Sequence, residues 1–518
     1  MVTQPPSLAT PVFVGARHST AIISTGDSSM LDMFTGLSFM FGLALLLSIT
    51  FVLAFEFING FHDTADAVTT VIYTKAMPPR TAVIASGVFN FLGVMVGGLG
   101  VAYAIVHLLS VDLLLNISSS YSMLMVFSLL LSAICWNLGT WYFAIPCSSS
   151  HTLIGSILGV GGAHAVLTHS PATEGINTEE ATSVMLSLLI YPLVGFISAA
   201  LLLLLLKRIW PGQKIHKSAE ERESIDGKKH PPFWTRATLV ASAMGLSFVH
   251  GSNDGQKGIG MLMLVLICMV PAHFVLDLNS SAIDIDKTRH AAVYLEGIYQ
   301  KNIDNLVKKI DFTKTKTAVQ TEKKCQAKNA YITINSLAAQ LKDVTDYNNL
   351  PIESRREVRR VLLCIDDNAK KMAKVDGISS EDKTQINKLR KEITATTEFA
   401  PFWVILAVAL ALGLGSMTGW RRVVKTIGEK IGKTGMTYSQ GISAQVTAAT
   451  AIGIASMTGM PVSTTHVLSS AVAGTMVANK SGLQFSTVKI ILLTWVLTLP
   501  ATILLAGSLF YVAVKVFL

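Results

Sequence analysis

Apolar runs of about 20 residues recur along the whole chain, each long enough to cross a hydrocarbon core of about 30 Å. This feature leaves few folds open. Inside a bilayer every backbone N–H and C=O must be paired within the protein. Of the 518 residues, 51% are hydrophobic and only 14% charged, against about 25% charged in soluble domains. The chain therefore reads as an all-α polytopic membrane protein. Its net charge of +9 sits in a few loops and one insert, so it speaks of topology rather than of a nucleic-acid partner. Residues 1–36 form a polar segment without the basic head and short apolar core of a cleavable signal. The first run, about 37–57, is expected to act as an uncleaved anchor.

Candidate spans lie at about 37–57, 81–108, 121–144, 183–206, 237–250, 400–418, 438–457 and 486–517. Four shorter pieces, at about 64–74, 152–168, 258–275 and 466–478, follow polar breaks. They read as half-helices or as return arms of re-entrant hairpins, for about 10–12 membrane segments in all. Irregular backbone at membrane depth is tolerated only where protein or a wet cavity surrounds it. Four such breaks point to a transporter rather than a receptor or an anchor. Residues 207–236 and 420–434 are rich in Lys and Arg, and Lys75 and Arg80 sit in a short connection. Residues 109–120 and 164–182 contain neither. The positive-inside rule places the first three in the cytoplasm and the last two outside.

The chain repeats itself. Pro146-Cys147-Ser148-Ser149-Ser150-His151 returns as Pro461-Val462-Ser463-Thr464-Thr465-His466. Gly60-Phe61-His62-Asp63-Thr64-Ala65-Asp66 returns as Gly251-Ser252-Asn253-Asp254-Gly255-Gln256-Lys257. The predicted organisation is a first transmembrane repeat at 37–206, a basic cytoplasmic linker at 207–236, and a second repeat that starts at 237–276 and resumes at 399–518. The first repeat starts outside and the second inside, so the two are inverted, a design that puts a substrate site at the midplane. Asp63 and His151 are 88 residues apart, Asp254 and His466 212 apart. The extra 124 correspond closely to a polar helical insert at 277–398, expected outside the cytoplasm. There Cys325 and Cys364 either form a disulfide, as an oxidising compartment allows, or stand as two unrelated buried thiols. Cys135, Cys147 and Cys268 read as small packing residues.

Proline suits the first position of a helix, so Pro146 and Pro461 are expected to open the second arm of each hairpin. The N–H groups that follow carry partial positive charge. Ser148, Ser149, Ser150, Ser463, Thr464 and Thr465 add hydroxyl donors. Two such ends facing each other form a cage for an oxyanion such as phosphate. A single cassette would more simply be a hairpin cap or a close helix contact; two inverted copies favour the site. His151 and His466 read either as proton carriers or as neutral hydrogen-bonded struts. An intramembrane carboxylate is functional by default. Asp63 and Asp254 can bind a cation or accept hydrogen bonds from a protonated phosphate. Glu56, Asn59, His62, Asp66 and Asn253 offer further ligands. Lys257 aligns with Asp66, so the two are expected to neutralise each other. Asn90, Trp136, Asn137, Thr140 and Gln445 are expected to make interhelical hydrogen bonds. An intramembrane hydrolase is disfavoured: adjacent Ser150 and His151 point about 100° apart on a helix, and no Gly-x-Ser-x-Gly elbow is present. No enzyme activity is expected.

The segments FINGFHDTADAVTTVIYT, WNLGTWYFAIPCSSSHTLIG, FVHGSNDGQKGIG and GMPVSTTHVLSS resemble the PiT family of inorganic phosphate transporters, specifically its bacterial low-affinity Pit type. The resemblance covers nearly the whole chain. It implies uptake of phosphate across the bacterial inner membrane by a multi-pass homodimer without a resident cofactor. It implies H⁺ symport, with phosphate carried as a neutral complex of Mg²⁺ or another divalent metal; other branches of the family use Na⁺. The phosphate ligands it implies are Asp63, Ser148, Ser149, Asp254, Ser463 and Thr464, with metal at Asp63 and Asp254 only as cargo. Cation or proton coupling falls to Asn59, His62, Asp66, Asn253, Lys257, His151 and His466. Asp66 and Lys257 depart from the family pattern, which usually has Asn at both places; a lysine there disfavours bound Na⁺. A Na⁺-coupled symporter and a sulfate or divalent-metal permease are the alternatives.

Overall fold

A computed structural model describes residues 32–110, 113, 119–143, 145, 147–228, 230–302, 337–375, 377–419, 424, 432, 433 and 435–518, without the side chains of Asp32, Asp63 to Asp66 and Ser119. Among the described residues there is no β-strand, only three isolated bridges. The first half contains α1 (Phe39–Tyr73), α2 (Pro79–Val96), α3 (Gly100–Val106), α4 (Ser119–Tyr142), α5 (Ser149–Leu167) and α6 (Thr178–Ile209). A short α7 (Ala219–Asp226) lies in the linker. The second half contains α8 (Phe233–Met269), α12 (Phe402–Ser416), α13 (Tyr438–Met457), α14 (Thr464–Ala478) and α15 (Phe485–Phe517). Its insert carries α9 (Ala282–Lys301), α10 (Ile352–Ala373) and α11 (Ser380–Thr394). Six of the described helices (α1, α2, α4, α5, α6 and α15) are long and apolar enough to cross a membrane.

Three expectations are corrected. The acidic motifs were read as chain breaks, but α1 runs unbroken for 35 residues and α8 for 37. Their glycines serve close approach rather than reversal. A Cβ on Gly60 would strike the backbone of Leu412 and Ser416 in α12, and one on Gly251 the backbone of Asn90 in α2. The second correction concerns the cassettes. Helices α5 and α14 are capped by Ser148 and Ser463, whose hydroxyls accept from His151 N and His466 N. Pro461 therefore lies two residues ahead of the cap, Ser463, instead of opening the helix; Pro146 lies outside the described residues. The expected 81–108 span is also divided, at Gly97 and Gly98, into α2 and α3.

The membrane body has two apolar cores with a polar layer between them. The first core takes Leu45 to Phe55 of α1 and Ile259 to Met269 of α8; the second takes Ala67 to Val71 of α1 and Leu239 to Leu246 of α8. Helix α1 thus runs from the first core to the second, and α8 from the second to the first. Helix α6 enters the first core at Val184 and the second at Ala199, while α15 passes from Ile491 in the second to Phe510 in the first. Packing partners exchange in the same way. Helix α1 packs on α12 as α8 does on α2, and α5 packs on α15 as α14 does on α6.

The insert has its own core, built from Leu295, Leu362, Ile365, Ile386 and their neighbours. It docks where the first core ends. Buried Arg359 donates to Val275 O (2.7 Å) and Thr397 O (2.9 Å), Tyr103 donates to Phe399 O (2.7 Å), and Lys370 pairs with Glu180 at 2.6 Å. Cys364 takes part in a disulfide; its expected partner, Cys325, lies outside the described residues. Cys135, Cys147 and Cys268 are free thiols.

Candidate functional site

Helix α8 carries His250, Asn253, Asp254 and Lys257 across the polar layer. Helical spacing puts positions three and four apart on one face, and all four side chains are buried. Lys257 Nζ donates to Asp254 Oδ1, to Ser150 Oγ at 2.5 Å and to Val462 O at 2.7 Å. Those acceptors use its three ammonium protons. Lys257 is thus held by its own helix and by both cassettes; the side chain of its expected partner, Asp66, is outside the described set. Asp254 Oδ2 accepts from Thr464 Oγ1 at 3.3 Å and faces His250 Nε2 at 3.2 Å.

A chain of hydrogen bonds orients His250. Ser416 Oγ donates to Leu412 O (2.8 Å), so it accepts from Asn90 Nδ2 (2.8 Å), which turns Asn90 Oδ1 toward His250 Nδ1 (2.9 Å). Nδ1 therefore carries hydrogen, and Nε2 is left facing the Asp254 carboxylate. A buried charge needs a hydrogen-bonded counter-charge, and Asp254 has one ammonium and one imidazole in contact.

The cassettes meet this stripe from both halves. From the polar layer α5 descends into the first core and α14 into the second, so their N-termini face each other. Ser150 Oγ donates to Val462 O at 2.8 Å, and Asn253 Nδ2 donates to Met460 O at 3.2 Å. The His151 and His466 rings are 4.4 Å apart, and His466 stacks on Trp495 at 3.9 Å. His151 Nδ1 lies 2.8 Å from Ser148 Oγ. Each ring is wedged against its neighbours, a strut geometry. Two helix N-termini, six hydroxyl residues, a carboxylate and an ammonium thus converge in one water-excluded layer. That donor set suits a tetrahedral oxyanion.

Helix α1 supplies the opposite wall. Glu56, Asn59 and His62 are buried, and the α1 backbone passes through Asp63 and Asp66 as helix. Ser148, Ser149, Asn253, Asp254, Lys257, Ser463, Thr464, His151 and His466 are gathered around one layer, with Asn59 and His62 beside it; the side chains of Asp63 and Asp66 lie outside the described set. Sequence reasoning missed His250, Ser150 as a lysine ligand, and the Asn90–Ser416 relay. His250 stands four residues before Asp254, and helical spacing would have exposed it had the motif been read as continuous helix. Asn90 and Ser416 are 326 residues apart, and no local signal joins them. Of the in-span polar residues, Trp136 donates to Thr498 Oγ1 (3.3 Å) and Gln445 bonds Thr70. Both Asn137 amide atoms are buried without a partner.

The sequence profile of the Phosphate transporter family matches residues 59–506. The low-affinity inorganic phosphate transporter PitA of Escherichia coli strain K12 is 51% identical over 500 residues, covering 94% of this chain and all of the relative. PitB of the same strain is 51% identical over 497 residues, with the same coverage. The low-affinity inorganic phosphate transporter of Buchnera aphidicola subsp. Acyrthosiphon pisum is 49% identical over 490 residues, 93% of this chain and 99% of its own. A solved structure titled the sodium-dependent phosphate transporter superposes with a TM-score of 0.51 at 18% identity, covering 92% of this chain and 100% of that one. At that identity the likeness is one of fold.

Proposed function

The chain belongs to the phosphate transporter family, and from that premise we propose that it is an H⁺-coupled symporter importing inorganic phosphate across the bacterial inner membrane. Phosphate travels as a complex with Mg²⁺ or a similar divalent ion. The observation that carries this reading is the meeting of α5 and α14, N-terminus to N-terminus, around Asp254 and Lys257. The first turns and the hydroxyls of Ser148, Ser149, Ser463 and Thr464 bind phosphate oxygens. Asp63 and Asp254 accept a hydrogen bond from a protonated phosphate; of the two expected metal ligands, Asp254 is already taken by Lys257 and Thr464, which leaves Asp63 for the cargo metal. A permanent arginine is absent from this described layer, which leaves the anion releasable.

The reversed paths of α1 and α8 through the two cores support an inverted repeat. Such a repeat rocks about a midplane site, opening it to each side in turn. The polar layer is closed here: Asp254, Asn253 and Ser150 are all buried, as in an occluded step of that cycle. Lys257 favours H⁺ over Na⁺, because its ammonium already stands beside Asp254, where a metal cation would need the same oxygens. His151 and His466 act as struts rather than proton carriers. A homodimer is the proposed assembly, read by light scattering in detergent.

The test is labelled phosphate uptake into proteoliposomes under imposed H⁺ or Na⁺ gradients, with and without Mg²⁺. Concentrative uptake that follows the H⁺ gradient and needs Mg²⁺ is expected. Uptake driven by Na⁺ alone would move the protein to the alternative branch. Equal competition by sulfate would make it a general oxyanion permease, since sulfate has no proton to donate to Asp63 or Asp254.

A further inference from the structure

Among the described residues Glu56 makes no ion pair. It is fully buried on α1, its Oε1 has no partner, and Oε2 accepts one long bond, 3.4 Å, from Asn59 Nδ2. Asn59 Oδ1 is likewise buried without a partner. The place is built rather than accidental. Glu56 lies directly against Gly258 of α8, where any Cβ would fall within its carboxyl group. The charged and titratable groups facing it are Asp254, Lys257 and His250, all on α8. Lys257 is committed to three other acceptors and His250 to Asn90 and Asp254. Helix α12, packed on the other side of α1, carries no ionisable residue. Helices α2, α4, α13 and α14 bring only Arg80, Cys135, Tyr121, Tyr142, Tyr438 and His466, none of which acts on Glu56.

We propose that Glu56 is the carboxyl group that takes up and releases the coupled proton. This rests on the proton-symport reading above and assigns the proton to a residue. An ionised carboxylate with no partner is expensive in a dry interior, so in this closed state Glu56 is the neutral acid. Its environment suits both protonation states through one neighbour. When Glu56 is ionised, Asn59 Nδ2 donates to it; when it is protonated, the Asn59 amide turned over offers Oδ1 as acceptor. A hard metal ion is a poor fit, since such ions take about six or more oxygens, and two orphan oxygens on one helix do not supply them. The aligned positions of the second repeat hold Ser247 and His250. Ser247 is bonded to Ser86 at 2.9 Å, so that half carries no equivalent acid.

The experiment compares Glu56→Gln with the unaltered protein in proteoliposomes. One proton per cycle across one pH unit supports about tenfold accumulation. Glu56→Gln is expected to lose that accumulation, giving a ratio near one, while phosphate–phosphate exchange persists without pH dependence. Glu56→Asp is expected to accumulate phosphate with a displaced pH profile, and it carries the test if Glu56→Gln does not give a single gel-filtration peak. Accumulation by Glu56→Gln equal to the unaltered protein, or an unchanged pH profile in Glu56→Asp, overturns the assignment and leaves proton symport standing. Failure of the unaltered protein to respond to the H⁺ gradient overturns both.

Discussion

Helices α1 and α8 occupy equivalent places, at the crossing from one core to the other, yet their described polar groups are balanced differently. In α8, Asp254 is closed upon itself: Lys257, His250 and Thr464 surround it, and a hydrogen-bond relay through Asn90 and Ser416 holds the histidine. In α1, Glu56 and Asn59 leave an oxygen each without a partner. The glycines that allow close helix packing are shared by both; the charges are not. The two helices share the packing; their described polar side chains differ. On the proposed reading, the second half holds a fixed positive charge for the anion, and the first keeps a group whose charge can change.

The sharpest way to break this contrast is to remove the fixed charge. Lys257→Met leaves Asp254 without its ammonium, and breaking such a buried pair is expected to destabilise by about 3–5 kcal/mol. Thermal melts in detergent should show it, with most of the loss recovered in the Asp254→Asn/Lys257→Met double variant. Glu56→Gln breaks no ion pair and should change stability by about 1 kcal/mol or less, the worth of one hydrogen bond. Equal losses in the two halves would show that α1 is balanced like α8.

The shared packing is tested by Gly60→Ala and Gly251→Ala. Each added methyl meets backbone on the facing helix, and overpacking of this kind is expected to destabilise by about 1–3 kcal/mol in both. A loss at one position only would end the structural equivalence. The caps give a smaller effect. Ser148→Ala and Ser463→Ala should each lower stability by about 1 kcal/mol and raise the KM for phosphate, measured in the same vesicles.

The insert, present in the second half alone, gives the smallest effect, through pH. Burial, and then the charge of Asp366, pushes Glu398 from 4.5 up to about 7. Burial, and then Arg359, pushes His107 from 6.5 down to about 3. The two lie 3.7 Å apart at the docking surface. The folded state binds the extra proton on Glu398 between those values, so stability falls as pH rises from 4.5 through 7. For His107 it falls as pH drops from 6.5 toward 3. Docking is therefore expected to be firmest in mildly acid solution, and Glu398→Gln should flatten the alkaline side of a melt-versus-pH series.

Much of this was legible because it depends on composition and local order. Long apolar runs must be helices in lipid, and repeated hydroxyl and acidic motifs mark where polar groups are tolerated at depth. The motifs were misread as breaks for a physical reason. Gly and Asp disfavour isolated helix, but α8 encloses them between apolar cores and supplies side-chain partners at helical spacing. Pro461 was placed three positions too far into its helix, because Ser463 caps α14 and Thr464 opens it.

The sequence by itself determined that the chain is an all-α membrane protein of the phosphate transporter family, with paired hydroxyl cassettes and paired acidic motifs as its polar core. Only the tertiary structure decided which groups face which. Lys257 aligns with Asp66 in sequence but reaches Asp254, Ser150 and Val462, because α8 meets the N-termini of α5 and α14 in the polar layer. Glu56 looks like one ligand among several in sequence; packed against Gly258 with its Oε1 unpartnered, it is a buried acid that makes no ion pair among the described residues. Partnership between residues hundreds of positions apart is a property of packing, and no local pattern encodes it.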